Sequence, residues 1–422
     1  RQLREDWEKV DLQINSDDDT VRYRMTKTYI FQPHLSNGTE QDRLIFVNAI
    51  LVATSAMANE LIEDDFLITQ MDGMLSNKGE TLTKTCTIRE LVFDGVSIQT
   101  YVDLFSNPLI QDMTAELGLS IPENLKDGKF AFFKDKNGTD DGWFVVRSGL
   151  TESKDVAKIV SYNGNRVMPY WRGDACNTLN GTDGTFFPPG ITKDAIVHIF
   201  APQMCRSFEM EFHSESVTHG MDTFRFVASL RNWMAPKSNP NNWCFCQVKK
   251  NQTELKSCVN DGVFNLAPCV FGAPILLSQP HFYGAEEWIQ KSVEGLQPDF
   301  DKHMTIMEFH PLTGTPVDAK GRMQLSIELF PYESMSLFEN VQHAVIPIVW
   351  IEEGTTLQGK ELAGLRFLEG FQNGFSYAKF LFMFVGIMMV VFGVVIVKGK
   401  RKRKPEPGEE KTADFGSTFT YD

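Results

Sequence analysis

The sequence predicts an α+β domain built on a large antiparallel sheet or barrel, with a helical hairpin near its start and a membrane helix at its end. Three observations carry this. From Thr85 onward, short β-rich runs alternate with Gly, Pro, Asn and Asp, the pattern of many unequal strands. Between Leu44 and Leu75, apolar residues instead recur at three- and four-residue spacing with no proline. Finally, Phe380 to Val397, FLFMFVGIMMVVFGVVIV, runs eighteen residues without a charge.

In chain order, Val21 to Phe31 alternates apolar and polar residues before turning aromatic, which predicts a half-buried strand, with Asp17-Asp18-Asp19 as the turn before it. The helical stretch follows. Ile50, Leu51, Met57, Ala58, Leu61 and Ile62 define its apolar face, with a break near Asp64-Asp65 and an end at Asn77-Lys78-Gly79. Its outer face carries Glu60, Glu63, Asp64 and Asp65, read as a solvated face or a docking surface. Later strands are predicted at Gly142 to Arg147, Ala157 to Tyr162, Ala195 to Phe200, Phe224 to Ala228 and Ile275 to Leu277. The clearest alternation is Met323 to Leu329, with Met323, Leu325, Ile327 and Leu329 on one face. No fixed-period repeat occurs.

The uncharged run is about 27 Å long as a helix, close to the ~30 Å hydrocarbon core of a bilayer. Thirteen of its residues are Leu, Ile, Val or Phe. At roughly −0.4 kcal/mol each they supply about −5 kcal/mol of insertion free energy. Lys379 can snorkel at the front edge. Behind the span, Lys398, Lys400, Arg401, Lys402, Arg403 and Lys404 put that end in the cytoplasm by the positive-inside rule. The expected organisation is an extracellular or lumenal ectodomain over 1–378, a transmembrane helix over 379–398 and a cytoplasmic tail over 399–422. Pro405, Pro407, Gly408 and small polar residues predict a disordered tail. It ends Phe415-Gly416-Ser417-Thr418-Phe419-Thr420-Tyr421-Asp422 and has no dileucine, which weighs against lysosomal sorting. The chain opens Arg1-Gln2-Leu3 without Met, so a signal peptide or a first transmembrane helix is expected before it.

The chain carries a net charge of −14; the part from Lys398 onward is +2 and Lys379 adds one more, leaving about −17 outside. Such a surface repels nucleic acid. Of seven cysteines, Cys176, Cys205, Cys244, Cys246, Cys258 and Cys269 cluster, while Cys86 stands apart. In an exported domain this reads as three disulfides and one free thiol, with fifteen pairings open. Asn37, Asn137, Asn180 and Asn251 lie in N-x-S/T sequons and are read as glycan acceptors. Catalytic chemistry finds little support. The histidines form no HExxH or HxH pair, and His303 and His310 read as core, turn or surface residues rather than metal ligands. Gly374-Phe375-Ser376-Tyr377-Ala378 resembles a nucleophile elbow but abuts the apolar run instead of following a strand. There is no Walker loop or dinucleotide fingerprint, so neither enzyme activity nor a cofactor is expected. The 33 Phe residues fill a large core or line an apolar cavity for a long-chain lipid.

A set of short strings points further. Trp7-Glu8-Lys9-Val10, Thr28-Tyr29-Ile30-Phe31, Ile88-Arg89-Glu90-Leu91, Asn180-Gly181-Thr182-Asp183, Phe187-Pro188-Pro189, Cys205-Arg206-Ser207, Cys244-Phe245-Cys246, Pro280-His281-Phe282 and Pro311-Leu312-Thr313-Gly314 occur in this order over nearly the whole chain. The sequence thereby resembles the class B scavenger receptors, which include the fatty-acid translocase, the lysosomal integral membrane protein and the insect sensory neuron membrane proteins. Val92-Phe93-Asp94-Gly95, Gly314-Thr315-Pro316-Val317 and Trp350-Ile351-Glu352-Glu353-Gly354 look most like the sensory neuron proteins. The resemblance implies a second membrane helix before Arg1, a β-barrel-like core crossed by a hydrophobic tunnel, and a helical apex at about 44–80. It implies the pairs Cys176–Cys244, Cys205–Cys269 and Cys246–Cys258, within a disulfide region over 176–269. It also places Lys78 near a lysine associated with the carboxylate of incoming lipid.

Two functions are therefore expected. In the first, a receptor in the cell membrane captures fatty acids, lipids or pheromones and passes them through a tunnel to the bilayer or to a partner such as an odorant-receptor channel. In the second, a scavenger, endocytic or lysosomal trafficking receptor binds lipoproteins, apoptotic cells or protein cargo at its apex.

Overall fold

The computed structural model describes residues 1–62, 64–108, 110–111, 121–246, 258, 260–270 and 272–401. They form two units, Arg1–Leu357 and, from Gln358 onward, a C-terminal helix.

The first unit holds sixteen described strands. In chain order these are β1 (Leu3–Asn15), β2 (Thr20–Phe31), β3 (Arg43–Val47), β4 (Thr83–Thr87), β5 (Val96–Ser97), β6 (Lys129–Phe130), β7 (Thr139–Arg147), β8 (Ile159–Tyr162), β9 (Ile196–Ala201), β10 (Arg206–Thr218), β11 (Met221–Ala228), β12 (Phe264–Asn265), β13 (Ile275–Ser278), β14 (Ile306–Phe309), β15 (Pro316–Leu329) and β16 (Ala344–Thr356). A four-stranded sheet runs β1-β2-β7-β8, and an eight-stranded sheet runs β12-β13-β15-β14-β11-β10-β9 with β16 also on β15. Every pair in both is antiparallel. Two two-stranded ladders, β3-β4 and β5-β6, complete the set. Among the described residues neither large sheet closes on itself, so the architecture is one of open antiparallel sheets rather than a closed barrel.

Strand β15 organises the larger sheet because it is long enough to pair twice on one edge. Its first residues pair with β14 (Ile306↔Lys320) and its last with β13 (Ile275↔Ile327), while β16 occupies the other edge along nearly its whole length. The expected apolar face of Met323 to Leu329 is there, but the opposite face is also covered. Arg322, Gln324 and Ser326 are buried. Burial of such groups is tolerated when they are hydrogen-bonded. Arg322 donates to Glu352 (2.6 Å) and to the Met304 carbonyl (2.7 Å), and Gln324 accepts from the His281 N–H (2.9 Å).

The loop holding Asn180-Gly181-Thr182-Asp183 ties the sheets together. Ile159 of β8 donates to the Gly181 carbonyl, and Thr182 makes a parallel bridge to Ile199 of β9. Gly181 has φ +83°, and a Cβ there would stand 1.9 Å from the His198 carbonyl oxygen, so only glycine fits. Asp183 then accepts from Lys9 of β1 (2.8 Å) and from the Tyr23 hydroxyl of β2 (2.6 Å). Burial raises the Asp183 pKa, but Lys9 and these hydrogen bonds outweigh it and leave the carboxyl below its ordinary value.

The expected helical hairpin forms, with one correction at its start. Leu44 to Val47 is strand β3, not helix, because Leu-Ile-Phe-Val is a β-forming run that finds β4 as partner. Helix α1 (Ala49–Leu61) begins only after Asn48, and α2 (Asp65–Asn77) follows after the predicted break. A shorter helix, α3 (Gln99–Phe105), packs with them.

The second unit is a 43-residue helix, Gly359–Arg401. Its stretch Ala378–Lys398 is long and apolar enough to cross a membrane. The elbow-like string from Gly374 lies inside this helix. Residues 402–422, with the last three basic residues of the cluster and the expected disordered tail, lie outside the described residues.

Candidate functional site

The helical hairpin is built from its caps inward. The Asn48 side chain accepts the Leu51 N–H (3.2 Å) and so starts α1; Asp64 accepts the Phe66 N–H (2.9 Å) and starts α2. Leu51, Val52 and Ala58 of α1 and Ile68, Met71 and Leu75 of α2 are buried with Tyr101 and Leu104 of α3, against Ile327 of β15, Met335 and Phe338. Burial of Leu51 and Leu75 is complete and stabilises by about 2 kcal/mol each.

Two carboxylates lock this cluster. Asp72 is buried on the inner face of α2 and accepts from the backbone N–H groups of Ser336 (2.9 Å) and Leu337 (3.3 Å). Glu80, also buried, accepts from Asn48 (2.9 Å), Tyr101 (2.7 Å) and Lys84 (3.1 Å), joining the start of α1 to α3 and β4. Burial pushes the Glu80 pKa up, but the three hydrogen bonds outweigh it and hold the carboxyl below its ordinary value. The Tyr101 phenol is driven up by burial and by that carboxylate.

Lys78 is the C-cap of α2. Its N–H donates to the Met74 and Leu75 carbonyls, and its exposed ammonium stands where the helix dipole favours a cation. The lysine that meets a buried carboxylate here is Lys84, which the sequence did not single out. At the α1–α2 junction Leu61 and Phe66 are exposed, Phe66 by 66%, beside the exposed Glu60, Asp64 and Asp65. Glu63 lies outside the described residues.

A second cluster surrounds the cysteines. Cys176 bonds Cys244, Cys205 bonds Cys269 and Cys246 bonds Cys258; Cys86 is free and buried in β4, its thiol pKa raised by burial and by Glu90. Arg206, the residue after Cys205, is buried with its guanidinium 3.8 Å from the Phe245 ring centroid and 4.5 Å from that of Phe264. It donates to the Asn232 carbonyl at 3.1 Å. Burial pulls its pKa down to about 9, opposed by Glu209. Asn37, Asn137 and Asn180 are exposed, and Asn251 lies outside the described residues. His303 is buried, stacked on His281 at 4.2 Å, and accepts the Asp299 N–H; His310 is buried beside Thr313. These are packing and turn-stabilising positions.

Against known proteins, residues 2–397 match the CD36 family. The chain belongs to that family. Within it, the chain is 28% identical to scavenger receptor class B member 1 of Bos taurus over 381 residues, 90% of this chain and 70% of that protein. It is 30% identical to sensory neuron membrane protein 1 of Aedes aegypti over 393 residues, 92% of this chain and 71% of that protein. The Apis mellifera protein of the same name is 29% identical over 417 residues, covering 96% and 78%. A CD36-family chain is a membrane receptor rather than an enzyme, and the three disulfides and the apolar helix fit that class.

Sequence reading missed Asp72, Glu80 and Lys84, and gave Arg206 only as part of a family string, without its role. Only Asp72 left a usable signal: it interrupts the apolar face of α2 at helical spacing, between Ile68, Met71 and Leu75. The other three acquire their roles through contacts between segments distant in sequence.

Proposed function

We propose that residues 1–378 are a glycosylated extracellular ectodomain, 379–398 its membrane anchor and 399–422 a cytoplasmic tail. The ectodomain captures hydrophobic ligands (fatty acids, lipids or pheromones) and passes them through an internal apolar path to the bilayer or to a partner receptor. Family membership across 2–397, which includes nearly all of the apolar helix, carries this reading. Relatives named sensory neuron membrane proteins support the pheromone branch. On this reading the exposed Lys78 gives an incoming carboxylate its charge partner, and Asn37, Asn137, Asn180 and Asn251 carry glycans.

Mass spectrometry of lipids extracted from the purified glycosylated full chain tests it. Fatty acids, sterols or long-chain esters should be recovered, and added oleate should bind more weakly to Lys78→Ala. If no lipid is recovered and added oleate does not bind the parent protein, the transfer reading fails.

A second reading rests on the apex. Phe66 and Leu61, exposed beside carboxylates, suit docking of a macromolecular cargo. Loss of lipoprotein-particle binding in Phe66→Ser, with oleate binding retained, would favour it.

A further inference from the structure

A cavity of about 340 Å³ opens where β2, the helical turn Glu90–Asp94 and the turn before β7 meet. Tyr29, Phe93 and Phe133 lie along one side, packed on one another with ring centroids 5.2 Å (Tyr29–Phe133), 6.0 Å (Tyr29–Phe93) and 6.2 Å (Phe93–Phe133) apart, so that most of the surface facing the cavity is polar. These rings are fixed from behind, because Phe133 donates its N–H to the Val92 carbonyl at 2.8 Å. The polar side is built as firmly: Arg89 bridges Glu40 (3.3 Å) and Asp94 (3.1 Å). At this size the cavity falls at the small end of ligand pockets, which run from about 300 Å³ upward.

Asn137 lines the same cavity and begins the sequon Asn137-Gly138-Thr139. Its Oδ1 accepts the Tyr29 N–H at 2.8 Å. Of the two carboxamide atoms only the oxygen can accept a backbone N–H, so this bond sets which way the carboxamide faces. Nδ2, the atom that carries an N-linked sugar, is left uncommitted by the bond to β2. Transfer of an oligosaccharide replaces one Nδ2 hydrogen by a bond to the anomeric carbon, with the donor's lipid diphosphate leaving and a proton released. Oδ1 remains an acceptor, and the Tyr29 bond survives.

We propose that this cavity seats the innermost sugar residues of a glycan on Asn137. It rests on the reading of Asn137 as a glycan acceptor and adds where that glycan goes. A pyranose ring offers an apolar C–H face and a rim of hydroxyl groups. The cavity offers chiefly the complement to the hydroxyl rim, a guanidinium and carboxylates that donate and accept hydrogen bonds, with a narrow strip of aromatic ring beside them. Other occupants fit less well. A free anion meets Glu40, Asp94 and Asp135 against one guanidinium. A quaternary ammonium needs rings spread around it, whereas these three pack against one another.

The test is enzymatic deglycosylation of the native full-length glycoprotein, followed at each site by glycopeptide mass spectrometry. The Asn137 glycan should be released about tenfold more slowly than those on Asn37 and Asn180, a factor equivalent to ~1.4 kcal/mol of protection. Phe133→Leu and, separately, Arg89→Gln should each abolish most of that protection, and all sites should be equal in denatured protein. An occupied Asn137 released as fast as the other sites, or protected to the same degree in both variants, overturns the seat. An Asn137 found unoccupied while Asn37 and Asn180 carry glycans overturns instead the reading of Asn137 as an acceptor, and the seat with it.

Discussion

The helical hairpin and the disulfide cluster both pack on strand β15, yet they are fastened by different chemistry. The hairpin contacts Ile327 and Leu329, and the cysteine cluster contacts Met323 and Leu325 on the preceding part of the strand. At the hairpin the ties are carboxylates: Asp72 accepts from Ser336 and Leu337, and Glu80 from Asn48, Tyr101 and Lys84. Around the cysteines they are covalent bonds and a guanidinium held between phenyl rings. A disulfide fastening does not respond to mild acid, whereas a carboxylate fastening does. The helical hairpin is therefore, like the Asp183 tie between the sheets, a part of the first unit whose stability pH can adjust, whereas the cysteine cluster is the part that an oxidising environment preserves.

The largest break in this comparison comes from the bonds that close long loops. Cys205–Cys269 spans 64 residues, and replacing both by Ala should cost about 4 kcal/mol by the chain-entropy estimate, against about 3 kcal/mol for Cys246–Cys258, which spans 12. Chemical denaturation of each double variant measures the difference. The cost should not depend on pH between about 5 and 7, since disulfide cysteines do not titrate.

Next in size is Asp72→Ala. It strips two half-buried backbone N–H groups of a charged acceptor and should cost about 2 kcal/mol. Hydrogen exchange should show faster opening of α2 and of residues 334–338, with the strands around Cys205 unchanged. Equal acceleration in both regions would mean that they unfold as one unit and that the contrast between them is only one of chemistry.

Much of this arrangement could be read before any coordinates. The apolar run is legible because a membrane demands an unbroken stretch, and the hairpin because α1 and α2 keep helical spacing over thirteen residues each. Leu44 to Val47 misled because four apolar residues fit either period, and a partner at Thr83 to Thr87 decided for strand. The alternation in β15 gave the strand, but not that its polar face is buried too, since Glu352, Met304 and Ser278 come from other parts of the chain. Lys78 was drawn from the resemblance, whereas the lysine engaged with a carboxylate, Lys84, becomes special only once Glu80 is buried under Tyr101. Sequence pattern reports periodicity and composition well, and the partners of buried polar groups poorly.

The pH dependence follows from Glu80, whose folded pKa lies below its ordinary value. Its stabilisation is fully present above the unfolded pKa of about 4.3 and is lost as pH falls through the lower, folded value. The unfolded chain takes up its proton first, so acid favours opening. Exchange of the amides around Asn48 and Tyr101 should accelerate, beyond the intrinsic change, as pH falls below about 4.3, and Glu80→Gln should flatten that dependence. A slope unchanged in Glu80→Gln would assign the acid response to another carboxylate.

The smallest effect on stability, and the sharpest on function, is expected from Phe66→Ser. Phe66 is 66% exposed and its N–H, not its ring, makes the capping bond to Asp64, so the change should move stability by no more than about 0.5 kcal/mol. If the apex is where ligand or cargo first lands, removing the ring should weaken capture while melting temperature and disulfide content stay the same. If capture is unchanged in Phe66→Ser but falls in Lys78→Ala, the landing point lies at the other end of α2, some 20 Å away along the thirteen-residue helix. The two substitutions thus separate an apolar landing site from a cationic one on the same helix, without touching the carboxylates that hold it.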